Sequence, residues 1–524
     1  MAKTKVNSKN AKTKTDVWYK VLTVFIIVCL AAGLLVAVLQ PTGLVDYISL
    51  HTRTAMKSEN YSVSNAKFQY MTYLTYNNYY QSIAGSYGAQ YASYFGLDRS
   101  LPLGQQKYYG SETVSWLDVC VNEAEKTLTD ILALCESAKA EGYTLSDEDR
   151  QSIDNNIQSL KDFAKESNYS LSSAIAAMYG SKGITRGDIK GMLELQTLAS
   201  SYAQHLSDGF TYTDEDYNKY YDENKIKYLK ADYYSFTVKA DYETNAKDDE
   251  KTEAISAAKA SAAELMRKIE AGEDFVKVIF DYKKQLAEDE KTAAELSKDE
   301  ERIKKAVQAL QDLTEDSVKK EILTEAHTNA DSEADKWIFA DTPAAENASK
   351  LIEEDESSTL YQIVKSAYRD EYNTVSIREL DLTLDNFSSP EAMKEYADQM
   401  IAEFEKGDKT GESFDKLAEQ FKTDKITVNS TGLIKETVKS GSAHEELIPV
   451  DEWLFSADRK AGDYKYFVLD DEGLSIYYFE GTGKPVWLAN VDKDMRSDDL
   501  QKKLDSFKET YPVTINEKAI AKIS

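Results

Sequence analysis

Cysteine, histidine and positive charge are all scarce in this chain, and each scarcity removes a class of function. Three cysteines in 524 residues are too few for a disulfide framework. Cys29 sits in an apolar run, whereas Cys120 and Cys135 lie on one predicted helix, roughly 22 Å apart along its axis and far beyond bridging distance. No structural disulfide is expected. The four histidines, His51, His205, His327 and His444, are scattered and form no pair at metal-ligand or catalytic spacing. Zinc spacing, a phosphate-cradling glycine loop, a Ser/His/Asp set and a carboxylate pair are equally missing from the pattern, so neither cofactor nor metal is expected. With 63 Lys and Arg against 91 Asp and Glu, the formal net charge is -28. Such a chain repels phosphates, which argues against a nucleic-acid partner.

What is present starts with length. A chain of 524 residues is too long for one ordinary core, and two to four domains are expected. Residues 1–20 are rich in lysine and hold a single acid, and Val21 to Leu39 is uncharged and almost wholly apolar. At helical rise that run spans roughly 28 Å, one hydrocarbon core. Trp18 and Tyr19 sit where an interfacial aromatic belt would. A retained anchor over residues 21–40 is therefore expected: single-pass at the cell membrane, N-terminus cytoplasmic, the bulk of the chain extracytoplasmic. The competing reading, a cleaved signal peptide, lacks a clear small-x-small site after Leu39, and Cys29 lacks the preceding small residue of a lipidated cysteine.

From Asp46 to Tyr109 aromatic residues are dense, among them Tyr61, Phe68, Tyr70, Tyr73, Tyr80, Tyr87, Tyr91, Phe95 and Tyr109. Ser62 or Ser64 is placed to cap a helix running to about Tyr80. Gly85, Gly88, Gly96 and Gly104 then break any regular pattern. Tyrosine rings give broad contact at low entropy cost, so Tyr73, Tyr87, Tyr91 and Phe95 are candidate contacts for non-native peptide, with ordinary core packing as the alternative. A long helix follows between Val114 and Gly142, with Leu117, Val121, Leu128, Ile131, Leu132 and Cys135 as its apolar stripe. Further helices are read after Ser146, over Leu171 to Tyr179, and from Thr185 to His205.

Thr211 to Val238 is a joint. Thr213 and Asp216 form a capping-box pattern before Tyr217, Tyr220 and Tyr221 at helical spacing, and Tyr234, Phe236 and Val238 then alternate as a strand. Beyond it, Asp335-Lys336-Trp337-Ile338-Phe339-Ala340 recurs as Asp451-Glu452-Trp453-Leu454-Phe455-Ser456, each copy ahead of a strand-like run, Leu360 to Val364 and Leu474 to Phe479. Two copies of one α+β module are the economical reading. The first carries a charged helical insertion at about 283–330, and Ser497 to Tyr511 forms a last helix.

The Tyr-rich helix ending in Tyr-x-Glu-Asn-Lys and entering a strand resembles the junction in SurA/PrsA-like extracytoplasmic foldases, which join a helical chaperone domain to parvulin-type prolyl isomerase domains. Glu141-Gly142-Tyr143-Thr144-Leu145-Ser146-Asp147-Glu148, Tyr179-Gly180 and Gly183-Ile184-Thr185 are similar to the SurA-type N-terminal domain. The expected architecture is thus α+β multidomain. It comprises a cytoplasmic basic tail (1–20), a transmembrane helix (21–40) and an all-α SurA-like chaperone domain (46–228). Two parvulin-like α+β modules (229–370 and 371–484) follow, and a C-terminal helical segment (485–524) returns to complete the chaperone domain.

The resemblance also implies where catalysis would sit, and those positions lack its imidazoles. Family histidines align with Tyr233 and with Tyr361 or Gln362 in the first module, and with Glu379 and Ser475 in the second. Gly432 resembles the glycine of the central turn, and Trp453, Leu454 and Phe455 resemble the wall of the proline pocket. The expected function is a membrane-anchored extracytoplasmic chaperone that binds unfolded or nascent secreted polypeptides, with non-catalytic modules and no catalytic residue. The alternatives are an active peptidyl-prolyl cis-trans isomerase and an adaptor ectodomain for one envelope protein.

Overall fold

The computed structural model describes residue 47 and residues 50–523, apart from 328–331, 441–444 and 470–472. The described chain divides into two compact units, one over Thr213–Asp492 and the other combining the residues up to Tyr212 with those from Lys493 onward.

The second of these is built on helices that begin where local chemistry says they should. Ser64 caps the helix Asn65–Tyr87 by accepting from the Lys67 amide. Ser115, Ser146 and Thr185 open the helices Trp116–Ala140, Asp147–Glu166 and Arg186–Gly209, each with a reciprocal capping box to an aspartate at the third helical position. Leu171–Tyr179 is a shorter helix ended by Gly180 in the left-handed conformation. Their apolar faces meet in one core that includes Phe68, Tyr70, Leu128, Leu132, Leu160, Tyr179, Met192 and Tyr202. Cys120 and Cys135 are both buried and unbonded, and burial pushes each thiol up to about 12.

The C-terminal segment belongs to that core. Ile520 and Ile523 are buried in it, with Leu504, Phe507 and Val513 packed against it. The strand Thr54–Lys57 pairs antiparallel on one side with Ser62–Ser64 and on the other with Thr514–Ile515. Asn65 donates from its side-chain amide to the Ala519 carbonyl at 2.8 Å.

The expected architecture is corrected here. The first domain is not all-α, because this three-stranded sheet closes it. The strands are four, three and two residues long, too short to leave an alternating pattern. No helix among the described residues is long and apolar enough to cross a membrane. The segment 21–40 read as a transmembrane helix, the basic tail 1–20 and Cys29 lie outside the described residues.

The Thr213–Asp492 unit holds two antiparallel sheets. In the first the strand order is Leu323–His327, Lys230–Lys239, Ser357–Tyr368, Ser349–Glu353. In the second it is Tyr464–Leu469, Gly473–Pro485, Asn373–Thr383, Val428–Ser430, with Ile434–Thr437 also paired to Asn373–Thr383. Each sheet packs long helices on one face, Asp248–Glu270 and Phe275–Ser297 in the first, Pro390–Lys406 and Gly411–Phe421 in the second. Each packs a short Trp-bearing helix on the other, Glu333–Ile338 or Ile448–Leu454. The charged stretch 283–330 is not helical throughout. Helices Glu300–Asp312 and Glu315–Ile322 follow Phe275–Ser297, and Leu323–His327 then joins the sheet.

Because Ile520 fills the core from the far end of the sequence, Ile520→Ala is expected to cost about 2–4 kcal/mol of stability. Denaturant unfolding followed by far-UV circular dichroism measures it. A loss below about 0.5 kcal/mol would mean that the C-terminal segment is not a structural part of that core.

Candidate functional site

Between Lys67 and Asp98 the chain carries no charged side chain. Nevertheless, part of this stretch faces solvent. The helix Asn65–Tyr87 stops at Gly88, whose φ of 92° lies outside the range an L side chain favours. A 3₁₀ turn over Ala89–Phe95 then ends at Gly96 in the left-handed conformation. The turn is held from beneath by Trp116, which is 1 % exposed and donates its indole N–H to the Phe95 carbonyl at 2.8 Å. Buried Gln106 ties in the loop that follows. Its side-chain oxygen accepts from the Tyr76 hydroxyl at 3.0 Å and from the Asp98 amide at 3.1 Å, and its amide donates to the Leu101 carbonyl at 2.9 Å.

Around this floor, aromatic rings gather in two groups, one running from Tyr87 through Phe95 and Tyr109 and the other made by Tyr91 and Tyr94. Tyr87 lies 5.5 Å from Phe95, Phe95 meets Tyr109 edge-on at 5.4 Å, and Tyr91 lies 6.0 Å from Tyr94. Tyr108 bridges Tyr109 at 4.7 Å to Trp116 at 4.8 Å. The outer rings are open to water, with Tyr87 61 %, Tyr91 47 %, Tyr94 80 % and Tyr109 58 % exposed. Exposed aromatic rings concentrated in this way make the region the candidate site, since large exposed apolar patches are uncommon on solvated surface.

Of the four candidate contacts read from the sequence, the structure gathers Tyr87, Tyr91 and half-buried Phe95 on this surface. Tyr73 lies elsewhere. It is packed between two hydrophobic clusters, and its hydroxyl end occupies the space that a side chain at Gly180 would need. Tyr94, Tyr109 and Trp116 are the residues that sequence reasoning passed over. Tyr94 and Tyr109 stood in the same aromatic run, but only the structure shows that both are exposed, Tyr94 on the turn Ala89–Phe95 and Tyr109 on a second one over Tyr108–Gly110.

The second module carries a different constellation. Cross-strand register places Glu379 opposite Tyr477 and Asp381 opposite Ser475, all four on the sheet face that also packs Trp453. Ser475 donates to Asp381 at 2.7 Å. Burial and the neighbouring Asp381 charge push the Glu379 carboxyl up to about 7, against hydrogen bonds from Tyr477 and Ser475 that favour its charged form. Burial and the Glu379 charge in turn raise the Tyr477 phenol. This is a carboxylate pair that the linear pattern did not reveal. Its members sit two residues apart on one strand, and their partners arrive only through pairing with Gly473–Pro485.

The first module uses the same register with other chemistry. Tyr233 pairs with Ile363 and Ser235 with Tyr361, and the Tyr233 and Tyr361 rings stand 5.8 Å apart. Trp337, with Lys350 6.0 Å from its ring, borders an open recess of about 340 Å³ on that face. In the second module Leu454 is buried, while Trp453 and Phe455 pack partly buried on the sheet, with Arg459 4.3 Å from the Trp453 ring. Gly432 takes the left-handed conformation between Val428–Ser430 and Ile434–Thr437.

His51 and His205 make local contacts. His51 hydrogen-bonds Asp188 at 2.9 Å and stacks on Tyr47, and His205 lies 5.1 Å from Tyr143. His444 lies outside the described residues. Among the described residues there is no cluster of His, Cys, Asp and Glu able to hold a metal ion. Comparison with protein-family models and with curated proteins finds no match.

Two outcomes are expected. A Cβ at Gly96 would stand 1.8 Å from the Lys107 carbonyl oxygen, at a left-handed φ. Gly96→Ala should therefore cost more than about 1 kcal/mol and weaken the near-UV aromatic dichroism; an unchanged spectrum and stability would contradict the packing described. Glu379 is raised from 4.5 to about 7 on folding, so its contribution to stability is fully present below about pH 4.5 and lost as pH rises through 7. Wild type and Glu379→Gln should be equally stable at about pH 4, with wild type less stable by a few kcal/mol, on the order of 3, at pH 8. Thermal unfolding at the two pH values reads this, and parallel curves would remove Glu379 as the titrating group.

Proposed function

We propose that this protein is a chaperone that binds unfolded or nascent secreted polypeptides outside the cytoplasm, through the aromatic surface of Tyr87, Tyr91, Tyr94, Phe95 and Tyr109. The single observation that carries the reading is the exposure of Tyr87, Tyr91 and Tyr94 within a stretch devoid of charge, with exposed Tyr109 beside half-buried Phe95. Rigid tyrosines lose little entropy on contact and accept many sequences, which suits a binder of non-native chains. The address follows from the sequence. The lysine-rich start and the uncharged run from Val21 to Leu39 support a protein held at the cell membrane in single-pass form, with the bulk of the chain outside.

The resemblance to SurA/PrsA-like foldases agrees with this reading and assigns the two repeated modules a parvulin-like ancestry. In the first module Tyr233, and Tyr361 or Gln362, align with the family imidazoles, and the module is read as non-catalytic. One observation favours a second reading for the other module, an active prolyl isomerase. Glu379, with a carboxyl that titrates near neutrality beside Tyr477 and Ser475, is placed where an acid or base would have to act.

Full-length protein in detergent, at severalfold excess, should suppress light scattering by an aggregating unfolded test protein. The triple variant Tyr87→Ser/Tyr91→Ser/Tyr94→Ser should need roughly tenfold more protein for the same effect while unfolding at the wild-type temperature. Absence of suppression by wild type would overturn the proposal. In a protease-coupled proline-peptide assay no acceleration is expected; acceleration abolished by Glu379→Gln would establish the isomerase reading instead.

A further inference from the structure

We infer that the aromatic surface selects cationic non-native segments, those carrying arginine or lysine beside apolar residues, an inference that rests on the chaperone reading and narrows its client class. Three observations carry it. First, among the described residues no lysine or arginine covers Tyr87, Tyr91, Tyr94 or Tyr109, although Lys and Arg cover other rings of the chain at Tyr212, Tyr217, Tyr221, Tyr242, Tyr368 and Tyr372. The electron-rich faces of the surface rings are therefore open to a cation from outside.

Second, the same cluster already holds a guanidinium where the chain supplies one. Arg99 lies 3.7 Å from the centre of the Tyr80 ring, which packs on the same hydrophobic cluster as Phe95 and Tyr108, and donates to the Asn77 side-chain oxygen at 3.4 Å. Third, the chain carries a formal net charge of -28. A cationic segment is drawn in by the long-range field, and at contact it meets uncharged rings rather than carboxylates. Field and ring faces thus divide the work. The field raises the encounter rate and is screened by salt, whereas ring contact persists when salt is added.

The probes are three fluorescent peptides with the same leucine and phenylalanine positions, differing only in three sites filled by arginine, glutamine or glutamate. Binding to the full-length protein is read by anisotropy at low and at 1 M salt. The arginine peptide should bind at least about tenfold more tightly than the glutamine peptide, and part of that preference should survive 1 M salt. In Tyr91→Leu/Tyr94→Leu, which keeps the apolar area and removes two open ring faces, the ratio of arginine-peptide to glutamine-peptide affinity should shrink severalfold, whatever loss of affinity the two peptides share. Equal affinity for the arginine and glutamine peptides would overturn the selectivity and leave the chaperone reading standing, as would a preference that vanishes wholly at 1 M salt. Binding of none of the three would overturn both.

Discussion

The hydrogen bond from the Trp116 indole to the Phe95 carbonyl is the contact on which the aromatic surface depends. A tyrosine-rich stretch without charges would ordinarily collapse into a core, since water gains when such rings are removed from it. Here the core beneath is already filled by Trp116, Tyr76, Leu97 and Leu103, and the 3₁₀ turn is fixed at its end by Gly96. The rings of Tyr87, Tyr91 and Tyr94 have no interior left to enter. Exposure is thus a consequence of packing below, and the surface is presented in a defined arrangement rather than as a loose loop.

A second constraint lies in how the unit is closed. The strand Thr54–Lys57 has one edge covered by Ser62–Ser64 and the other by Thr514–Ile515, so the chain end finishes a sheet begun near its start. Two residues of pairing would be negligible by themselves. They hold because Ile520 and Ile523 are buried alongside and Asn65 reaches the Ala519 carbonyl. Loop-closure cost grows slowly with length, so even this separation in sequence is affordable once apolar area is buried.

What could be read beforehand was whatever is encoded locally. Thr213 with Asp216 and Ser146 with Asp149 form capping boxes because three residues suffice to specify one. The stripe of Leu128, Ile131, Leu132 and Cys135 is buried because helical period places it on one face. Pairing across distance was not legible. The strand Leu323–His327 is embedded in a run of lysines and acids, where charge density masked it. Glu379 and Asp381 looked like two acids among many until the register set Tyr477 and Ser475 against them. Tyr73 and Tyr94 show the same limit: both belong to one aromatic run, yet one packs inward and the other is the most exposed ring of the surface.

The most direct test of the central claim is site-specific photo-crosslinking. A photoreactive phenylalanine analogue is placed at position 94 on the aromatic surface, or at position 151 on the exposed side of the helix Asp147–Glu166, in the full-length protein mixed with a radiolabelled unfolded polypeptide. The account predicts strong crosslinking from position 94 and background from position 151, with loss of the signal when the polypeptide is folded first. Equal crosslinking from both positions, or none from position 94, would contradict it.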